Sequence, residues 1–269
     1  MTFKELIMKN TTTIKAGFVQ FDVKSGNIAS NLQSVKNGIR RLSDKGAQVA
    51  VLPEVWPCGF DNLKMADHAE KTPEIIHTLR ELAIKNHMLI AGSLPSESDG
   101  KIYNILVVID KDGSIAGEYR KIHLFSANGE DAVFSAGDRA VVCKTSVGPV
   151  GLMTCYDLRF PELCRLLALS GARLVIVSAQ WPESRINHWD ILLRARAIEN
   201  QLFIVAANRV GRDAPLTFNG HSQIISPTGE ILVKIDDQAG EGHAKINFND
   251  IDAARKQFNC LTERVPGAY

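Results

Sequence analysis

Short apolar runs rich in β-branched residues recur along the whole chain and alternate with stretches of helical periodicity. Apolar runs bounded by polar or glycine-containing turns are typical of buried strands. They predict about a dozen strands, at residues 14–21, 48–52, 88–92, 102–109, 114–119, 140–144, 150–153, 174–178, 203–207, 221–226, 231–235 and 243–246. Apolar residues at helical spacing predict helices at 28–45, 73–86, 160–169 and 187–200. The interleaving of the two element types predicts an α/β protein.

Two short connections add antiparallel pairing to this pattern. Lys-Asp-Gly-Ser at 111–114 and Pro-Thr-Gly-Glu at 227–230 each join two apolar runs, and this composition is typical of hairpin turns. Two mixed sheets of about six strands, each covered by helices, hold this many strands better than one open sheet.

No segment of the sequence has the composition of a linker, so one domain is expected over residues 1–269. Irregular loops are expected at 54–70, 121–138 and 209–219. Long loops in compact domains are often functional, so these three are compared with the candidate chemistry.

Composition and charge exclude several classes of function. Lys and Arg number 31 against 30 Asp and Glu, so no bulk charge attracts nucleic acid or a membrane surface. The apolar fraction of 45% and charged fraction of 23% are those of an ordinary globular protein. The first ten residues lack the apolar core of a secretory signal, and no stretch has the apolar length of a membrane span. A cytoplasmic protein with neither nucleic-acid nor membrane partners is expected.

Cys155 has a setting that suits a nucleophile. It ends the apolar run 150–153 and precedes a predicted helix, so its thiol is expected at the carboxyl edge of a sheet, beside a helix N-terminus that lowers its pKa. A buried structural thiol is the alternative, since free cysteine is commonly buried. The five cysteines form no C-x-x-C pair and are expected to be free thiols. Four lack the strand-to-helix setting and are interpreted as structural: Cys58, Cys143, Cys164 and Cys260.

Two other polar residues follow apolar strands in the same manner. Glu54 comes directly after the run 48–52, and Lys121 ends the run that contains Tyr119. Taken alone, each is more often a helix cap or a solvated charge. A cysteine nucleophile more commonly uses histidine as its base, but His123 and His188 have no evident carboxylate to orient them in the sequence.

Four segments, in this order, resemble signatures of the nitrilase superfamily of carbon-nitrogen hydrolases. They are Leu-Pro-Glu at 52–54, Tyr-Arg-Lys-Ile-His-Leu-Phe at 119–125, Cys-Tyr-Asp-Leu-Arg-Phe-Pro-Glu at 155–162 and His-Trp-Asp-Ile-Leu-Leu-Arg-Ala-Arg-Ala-Ile-Glu-Asn-Gln at 188–201. The resemblance implies a four-layer αββα sandwich with two mixed sheets. It also implies pairing into a homodimer and a reaction without metal or organic cofactor.

The resemblance assigns catalytic roles to particular side chains. Glu54 would be the general base, Lys121 the cation beside the tetrahedral intermediate and Cys155 the nucleophile. Glu130 would orient the lysine, although the adjacent Asp131 is an alternative. With these roles, the oxyanion would be held by the lysine ammonium and by the backbone N–H of Tyr156.

The segment at 155–162 resembles amidases of small dicarboxylate monoamides more than nitrilases. Ser-Ala-Gln-Trp-Pro-Glu at 178–183, followed by His-Trp at 188–189, resembles a bacterial omega-amidase-like branch that acts on 2-oxoglutaramate. The expected substrate is therefore a small amide that bears a carboxylate. An N-carbamoyl amidohydrolase, or a redox-sensing or binding protein without turnover, are the alternatives.

Three residues are candidates for substrate binding. Arg159 could pair with a substrate carboxylate, although a helical ion pair with Glu162 is an equal alternative. Trp181 and Phe60 could form apolar walls of the pocket, or could simply belong to the core.

Overall fold

The computed structural model describes residues 12–268, and it contains two six-stranded mixed sheets. The first sheet has the order β14-β1-β2-β3-β4-β5. Its strands are β1 (Thr13–Gln20), β2 (Val49–Val51), β3 (Leu89–Ser98), β4 (Lys101–Ile109), β5 (Ile115–Arg120) and β14 (Gly240–Asn247). Strands β1, β2 and β3 are parallel, and the other neighbours in this sheet are antiparallel.

The second sheet has the order β13-β12-β9-β8-β7-β6. Its strands are β6 (Val142–Thr145), β7 (Gly148–Thr154), β8 (Leu174–Ser178), β9 (Phe203–Ala207), β12 (Ser222–Ile225) and β13 (Ile231–Ile235). Strands β7, β8 and β9 run parallel at its centre, and both predicted hairpin turns join antiparallel pairs. A separate two-stranded hairpin consists of β10 (Val210–Asp213) and β11 (Leu216–Asn219).

Helices cover the outer face of each sheet. The helices are α1 (Ile28–Asp44), α2 (Met65–Glu70), α3 (Thr72–Asn86), α4 (Pro161–Leu169), α5 (Ile186–Asn200) and α6 (Asn249–Gln257). Helices α1 and α3 pack on the first sheet, and α4 and α5 pack on the second. The predicted four-layer αββα sandwich is confirmed.

Alternation along the strands explains why they appear as continuous apolar runs. In β2, Val49 and Val51 face the core between the sheets, whereas Ala50 packs with the helices outside. In β1, Phe18 faces the inner core and Val19 faces the outer layer. Both faces of a central strand are therefore buried, so polar alternation disappears.

Two expectations about local structure were wrong, and one helix was missed. Segment 54–70 contains α2, and segment 209–219 contains the β10–β11 hairpin, so neither is an irregular loop throughout. Helix α6 was not predicted, because its sequence is mostly polar and only Ile251 and Ala254 are buried. Short elements with few buried residues have weak periodicity, and this is why these were missed.

Among residues 12–268, no helix has both the length and the apolar character needed to cross a membrane. The first ten residues, on which the expectation of a missing secretory signal rests, lie outside the described part of the chain.

Candidate active site

Glu54 lies just beyond β2, between the ends of the two sheets, and is completely buried. Its backbone N–H donates to the carbonyl of Ala179, which follows β8 of the other sheet, at 3.2 Å. The next residue, Val55, has φ = 39°, which is rare for a β-branched residue. The chain therefore turns sharply after Glu54, and the turn is held by the second sheet.

Lys121 follows β5 and is also almost completely buried. Its Nζ lies 2.8 Å from Oε1 of Glu54, and 2.8 and 2.7 Å from the two carboxylate oxygens of Glu130. Its backbone N–H donates to the Asn104 carbonyl at 2.9 Å, which ties the end of β5 to β4. One ammonium therefore links two carboxylates that are distant in sequence.

Glu130, rather than Asp131, contacts the lysine. Glu130 is buried, and its Oε2 also accepts the backbone N–H of Phe125 at 2.8 Å. Asp131 is exposed. The two adjacent acidic residues thus lie in different environments. Only Glu130 belongs to the buried cluster that it forms with Glu54 and Lys121.

Cys155 lies at the end of β7 as the first residue of a short 3₁₀ helix, Cys155–Arg159. Its φ is 47°, in the left-handed region that non-glycine residues rarely adopt. The turn is held by Asp157, which accepts the Thr154 backbone N–H at 2.9 Å and the Tyr119 hydroxyl at 2.7 Å. Cys155 as a residue is partly exposed, and it lines the same cavity as Glu54 and Lys121.

The surroundings raise the pKa of the Cys155 thiol well above its ordinary value. Burial is the main cause, and the negative charge of Glu54 adds to it, while the Lys121 ammonium acts in the opposite direction. The sequence predicted a lowered pKa beside a helix N-terminus, and the shift is in the opposite direction. The thiol therefore stays protonated until a base removes its proton.

The two charged partners of the thiol are shifted as well. Burial, together with the charge of Glu130, raises the pKa of Glu54 even though Lys121 opposes the shift. Burial alone would lower the pKa of Lys121, but Glu54 and Glu130 outweigh it, so the pKa lies above its ordinary value. A carboxylate with a raised pKa beside a permanent cation is suited to accept and return a proton near neutral pH.

A cavity of about 440 Å³ opens over the cluster. Phe60 lies on its wall, as predicted, and the β10–β11 hairpin covers one side. The lining residues are Glu54, Phe60, Asn62, Lys121, Phe125, Ala127, Asn128, Glu130, Cys155, Gln180, Asp213, Ala214, Pro215, Leu216 and Phe218. The three segments expected to be long loops thus all border the cavity, although two of them contain regular structure.

A smaller compartment of about 30 Å³ adjoins Cys155 on another side. It contains Arg159 and Trp181, the two other residues predicted to bind substrate. Arg159 has no ion pair with Glu162 in the described structure; its guanidinium lies over the Trp181 ring, 4.6 Å from the centroid. Trp181 is buried and donates its indole N–H to the Arg185 carbonyl, so it is both core and wall.

Comparisons with known proteins agree with this geometry. Residues 15–256 match the family described as carbon-nitrogen hydrolase. The chain belongs to the carbon-nitrogen hydrolase family. A 2-oxoglutaramate amidase from Bacillus subtilis is 35% identical over 242 residues, covering 89% of this chain and 93% of that protein. The resemblance to the omega-amidase-like branch of the nitrilase superfamily is confirmed, and the protein is a hydrolase of non-peptide amide bonds.

Solved structures of carbon-nitrogen hydrolases have the same fold. One from Helicobacter pylori G27 has a TM-score of 0.91 and 30% identity, over 96% of this chain and 97% of that chain. An amidase from Nesterenkonia sp. AN1 has a TM-score of 0.86 and 25% identity, over 98% of each chain. That structure is described as carrying the acetamide moiety of fluoroacetamide covalently at its active-site cysteine.

Two polar residues that hold Glu54 in this carbon-nitrogen hydrolase were missed from the sequence. Asn104 donates to Glu54 Oε1 at 2.8 Å and to Glu130 at 3.3 Å. Gln180 donates its backbone N–H to Glu54 Oε2 at 3.0 Å and its side-chain amide to the Glu54 carbonyl at 2.7 Å. A signal existed for Asn104, because it is the one amide in β4 and directly precedes the apolar stretch at 105–109.

Neither candidate histidine of this hydrolase lies against the thiol as a base would. The Nδ1 atom of His123 is 2.8 Å from Asp157, and its ring stacks on Phe160 with centroids 3.7 Å apart. A carboxylate that orients His123 does exist, although it was not evident in the sequence. It is Asp157, in the turn that carries Cys155. His188 contacts Arg159 at 3.2 Å. Within residues 12–268, no group of three His, Cys, Asp or Glu side chains could hold a metal ion.

Proposed function

We propose that this hydrolase is a thiol-dependent amidase of small carboxylate-bearing amides, with a 2-oxo dicarboxylate monoamide such as 2-oxoglutaramate as substrate. The observation that carries the proposal is the meeting of Cys155, Glu54 and Lys121 around one cavity. Both the similarity to a 2-oxoglutaramate amidase and the adduct at the active-site cysteine of the Nesterenkonia amidase support it.

In the first half of the reaction, Glu54 accepts the proton of Cys155 as its sulfur attacks the amide carbon. The carbonyl oxygen becomes an oxyanion, which takes hydrogen bonds from the Lys121 ammonium and the Tyr156 N–H. The Tyr156 N–H lies in the first turn of the 3₁₀ helix, where the helix itself leaves donors unpaired. The intermediate collapses to a thioester, and Glu54 returns its proton to the leaving ammonia.

In the second half, Glu54 removes a proton from a water molecule that attacks the thioester. The second oxyanion occupies the same position, and its collapse breaks the carbon–sulfur bond and returns the proton to Cys155. The Lys121 ammonium has three N–H donors, and two of its contacts are with the carboxylate oxygens of Glu130. Exchanging one of these contacts for the oxyanion requires only a small movement of the ammonium.

The substrate carboxylate is assigned to Arg159, whose guanidinium lies in the small compartment beside the thiol. A planar guanidinium binds a carboxylate through two parallel hydrogen bonds. The apolar walls that include Phe60 and Trp181 surround the carbon chain between the amide and the carboxylate. An N-carbamoyl substrate would release carbon dioxide together with ammonia, so measuring both products separates this alternative.

Replacement of the nucleophile tests the proposal. Cys155→Ala should lower ammonia release from 2-oxoglutaramate by about 10⁴-fold or more, because loss of a covalent nucleophile removes the whole pathway. Cys260→Ala is the matched control, since Cys260 is also partly exposed but lies outside the cavity. Unchanged thermal unfolding of both variants would show that the fold is retained. Ammonia release by Cys155→Ala near the wild-type rate would refute the proposal.

We also propose a homodimer formed through α4 and α5. Helix α5 buries Trp189 and Leu193 against the second sheet, yet its other side exposes apolar residues as well. Helices that are apolar on both sides are usually covered on both. The exposed apolar residues of the two helices are Leu166, Leu169, Ile191 and Ile198.

Sedimentation velocity tests the dimer. Ile191→Glu should convert the dimer to a monomer, because a charge would be buried at the contact. Val265→Glu, at an equally exposed apolar residue outside these helices, should leave the mass unchanged. A monomeric wild-type protein, or a dimer that Ile191→Glu leaves intact, would contradict the interface.

A cytoplasmic location is part of the proposal and is supported by five free thiols.

A further inference from the structure

A second arginine lines the small compartment beside the nucleophile. This compartment shares Phe125, Asn128, Cys155 and Gln180 with the main cavity, and Arg159 and Arg185 also line it. Arg185 lies in the short 3₁₀ turn Glu183–Arg185 that precedes α5, whereas Arg159 ends the turn that begins at Cys155. The two guanidiniums thus come from separate segments and meet next to the thiol.

Aromatic rings hold both guanidiniums. The Arg159 guanidinium carbon lies 4.6 Å from the centroid of the Trp181 ring, and that of Arg185 lies 5.2 Å from the centroid of Phe125. Stacking on a ring fixes the plane of a guanidinium and leaves its edge N–H groups free to donate. Both rings also line the compartment, so the cations are positioned along its wall.

The positive charge of this pair is not balanced by carboxylates. In the described part of the chain, neither Arg159 nor Arg185 takes part in an ion pair, and the side-chain hydrogen-bond partner of Arg159 is His188. Burial, and then the charge of Arg185, lower the pKa of Arg159. In contrast, the buried Arg209 lies within ion-pair distance of two carboxylates, at 3.2 and 3.7 Å. A site with two cations and no anion is suited to a ligand that brings one.

We propose that Arg185 and Arg159 together form a subsite for the carboxylate end of the substrate, so that the enzyme selects ω-amides of dicarboxylic acids over neutral amides. This inference rests on the proposed function, and it adds Arg185 as the residue that discriminates on charge. The compartment has a volume of about 30 Å³, and the two arginines line it together with Cys155. The carboxylate would lie against the two guanidiniums, while the carbon chain and the amide extend past Cys155 into the larger cavity.

Binding of glutarate, a dicarboxylate that needs no turnover, tests the subsite directly by isothermal titration calorimetry. Arg185→Gln should weaken glutarate binding by about 10- to 100-fold, the usual effect of losing a charge-assisted hydrogen bond. Arg185→Lys should restore part of the affinity, since the charge returns without the planar fork. Arg40→Gln is the control. Arg40 is exposed on α1, so this substitution removes the same charge away from the cavity.

Steady-state kinetics on two five-carbon amides then separate recognition from catalysis. Arg185→Gln should raise KM for glutaramate by about 10- to 100-fold, and lower the glutaramate-to-pentanamide ratio of kcat/KM by a similar factor. The subsite would be overturned if Arg185→Gln changed neither the glutarate affinity nor the glutaramate-to-pentanamide ratio of kcat/KM. Equal losses of kcat/KM on both amides would also overturn it. If the wild-type protein binds glutarate through Arg185 but hydrolyses no amide, the subsite stands and the proposed function fails.

Discussion

Replacing Glu130 by glutamine should move the acid limb of the pH–rate profile to lower pH. Glu54, the proposed base, acts only when ionised, so kcat/KM rises with pH through its pKa. The negative charge of Glu130 contributes to raising that pKa. Removing this charge therefore lowers the pKa of Glu54, and the enzyme becomes active at more acidic pH than the wild type.

The geometry of the lysine gives the size of the effect. Oε1 of Glu54 and Oε1 of Glu130 each lie 2.8 Å from the same Lys121 nitrogen, so they are at most about 5.6 Å apart. At an effective dielectric constant of about 20, two unit charges at this distance repel each other by about 3 kcal/mol. The loss of that repulsion corresponds to a move of the midpoint of the acid limb by about two pH units.

The plateau rate should also fall. Glutamine keeps an acceptor for the ammonium but replaces a charge-assisted hydrogen bond by a neutral one, which costs about 1.5 kcal/mol or more, or about tenfold in kcat. Ammonia release would be measured from pH 4 to pH 9, with thermal unfolding as a check on the fold.

Asp131→Asn is the matched control for this experiment. It makes the same chemical change at the adjacent residue, which is exposed and outside the cluster, so its profile should overlay the wild type. An acid limb for Glu130→Gln that coincides with the wild type, or moves to higher pH, would refute the reasoning. It would mean that the titrating group is not Glu54, or that Glu130 does not influence it.

Two further substitutions test the cluster. Lys121→Gln should lower kcat by about 10²-fold or more. It should also destabilise the fold by about 3–5 kcal/mol in urea unfolding, because two carboxylates stay buried without a cation. Adding Glu130→Gln should recover stability but not activity, and a double variant as unstable as Lys121→Gln would contradict this. Gly137→Ala would place a Cβ 2.2 Å from the Arg120 carbonyl oxygen, so a loss of about 1–3 kcal/mol and reduced kcat are expected. Gly267→Ala, where the space is open, is the control, and normal activity of Gly137→Ala would contradict the steric argument.

The local pattern predicted two mixed sheets covered by helices and strand ends that carry polar side chains, and the family resemblance assigned the catalytic positions and the four-layer sandwich. Glu54, Lys121 and Cys155 each lie at or just beyond the end of a strand, and the ends of strands in a packed sheet meet at common edges. The order of the four signature segments supplied the family. None of these inferences needed a distance between side chains.

Other features depended on contacts between segments far apart in the chain. Asn104 and Gln180 contact Glu54 across 50 and 126 residues of sequence. Asn104 stands out as the lone amide of β4, but the neighbouring sequence does not specify its partner. The choice of Glu130 over Asp131 came from burial. Arg185 was missed because its position beside Arg159 depends on how α5 packs.

The order of residues by itself determined most of the strands, although not the β10–β11 hairpin, and which polar side chains end them, since alternation and periodicity are properties of neighbours along the chain. Only the tertiary structure decided the protonation chemistry. The pKa of Cys155 rises rather than falls, because the shift depends on burial and on the carboxylate of Glu54, which another strand brings to the thiol. Desolvation and charge act through space, and separation along the sequence does not reveal them.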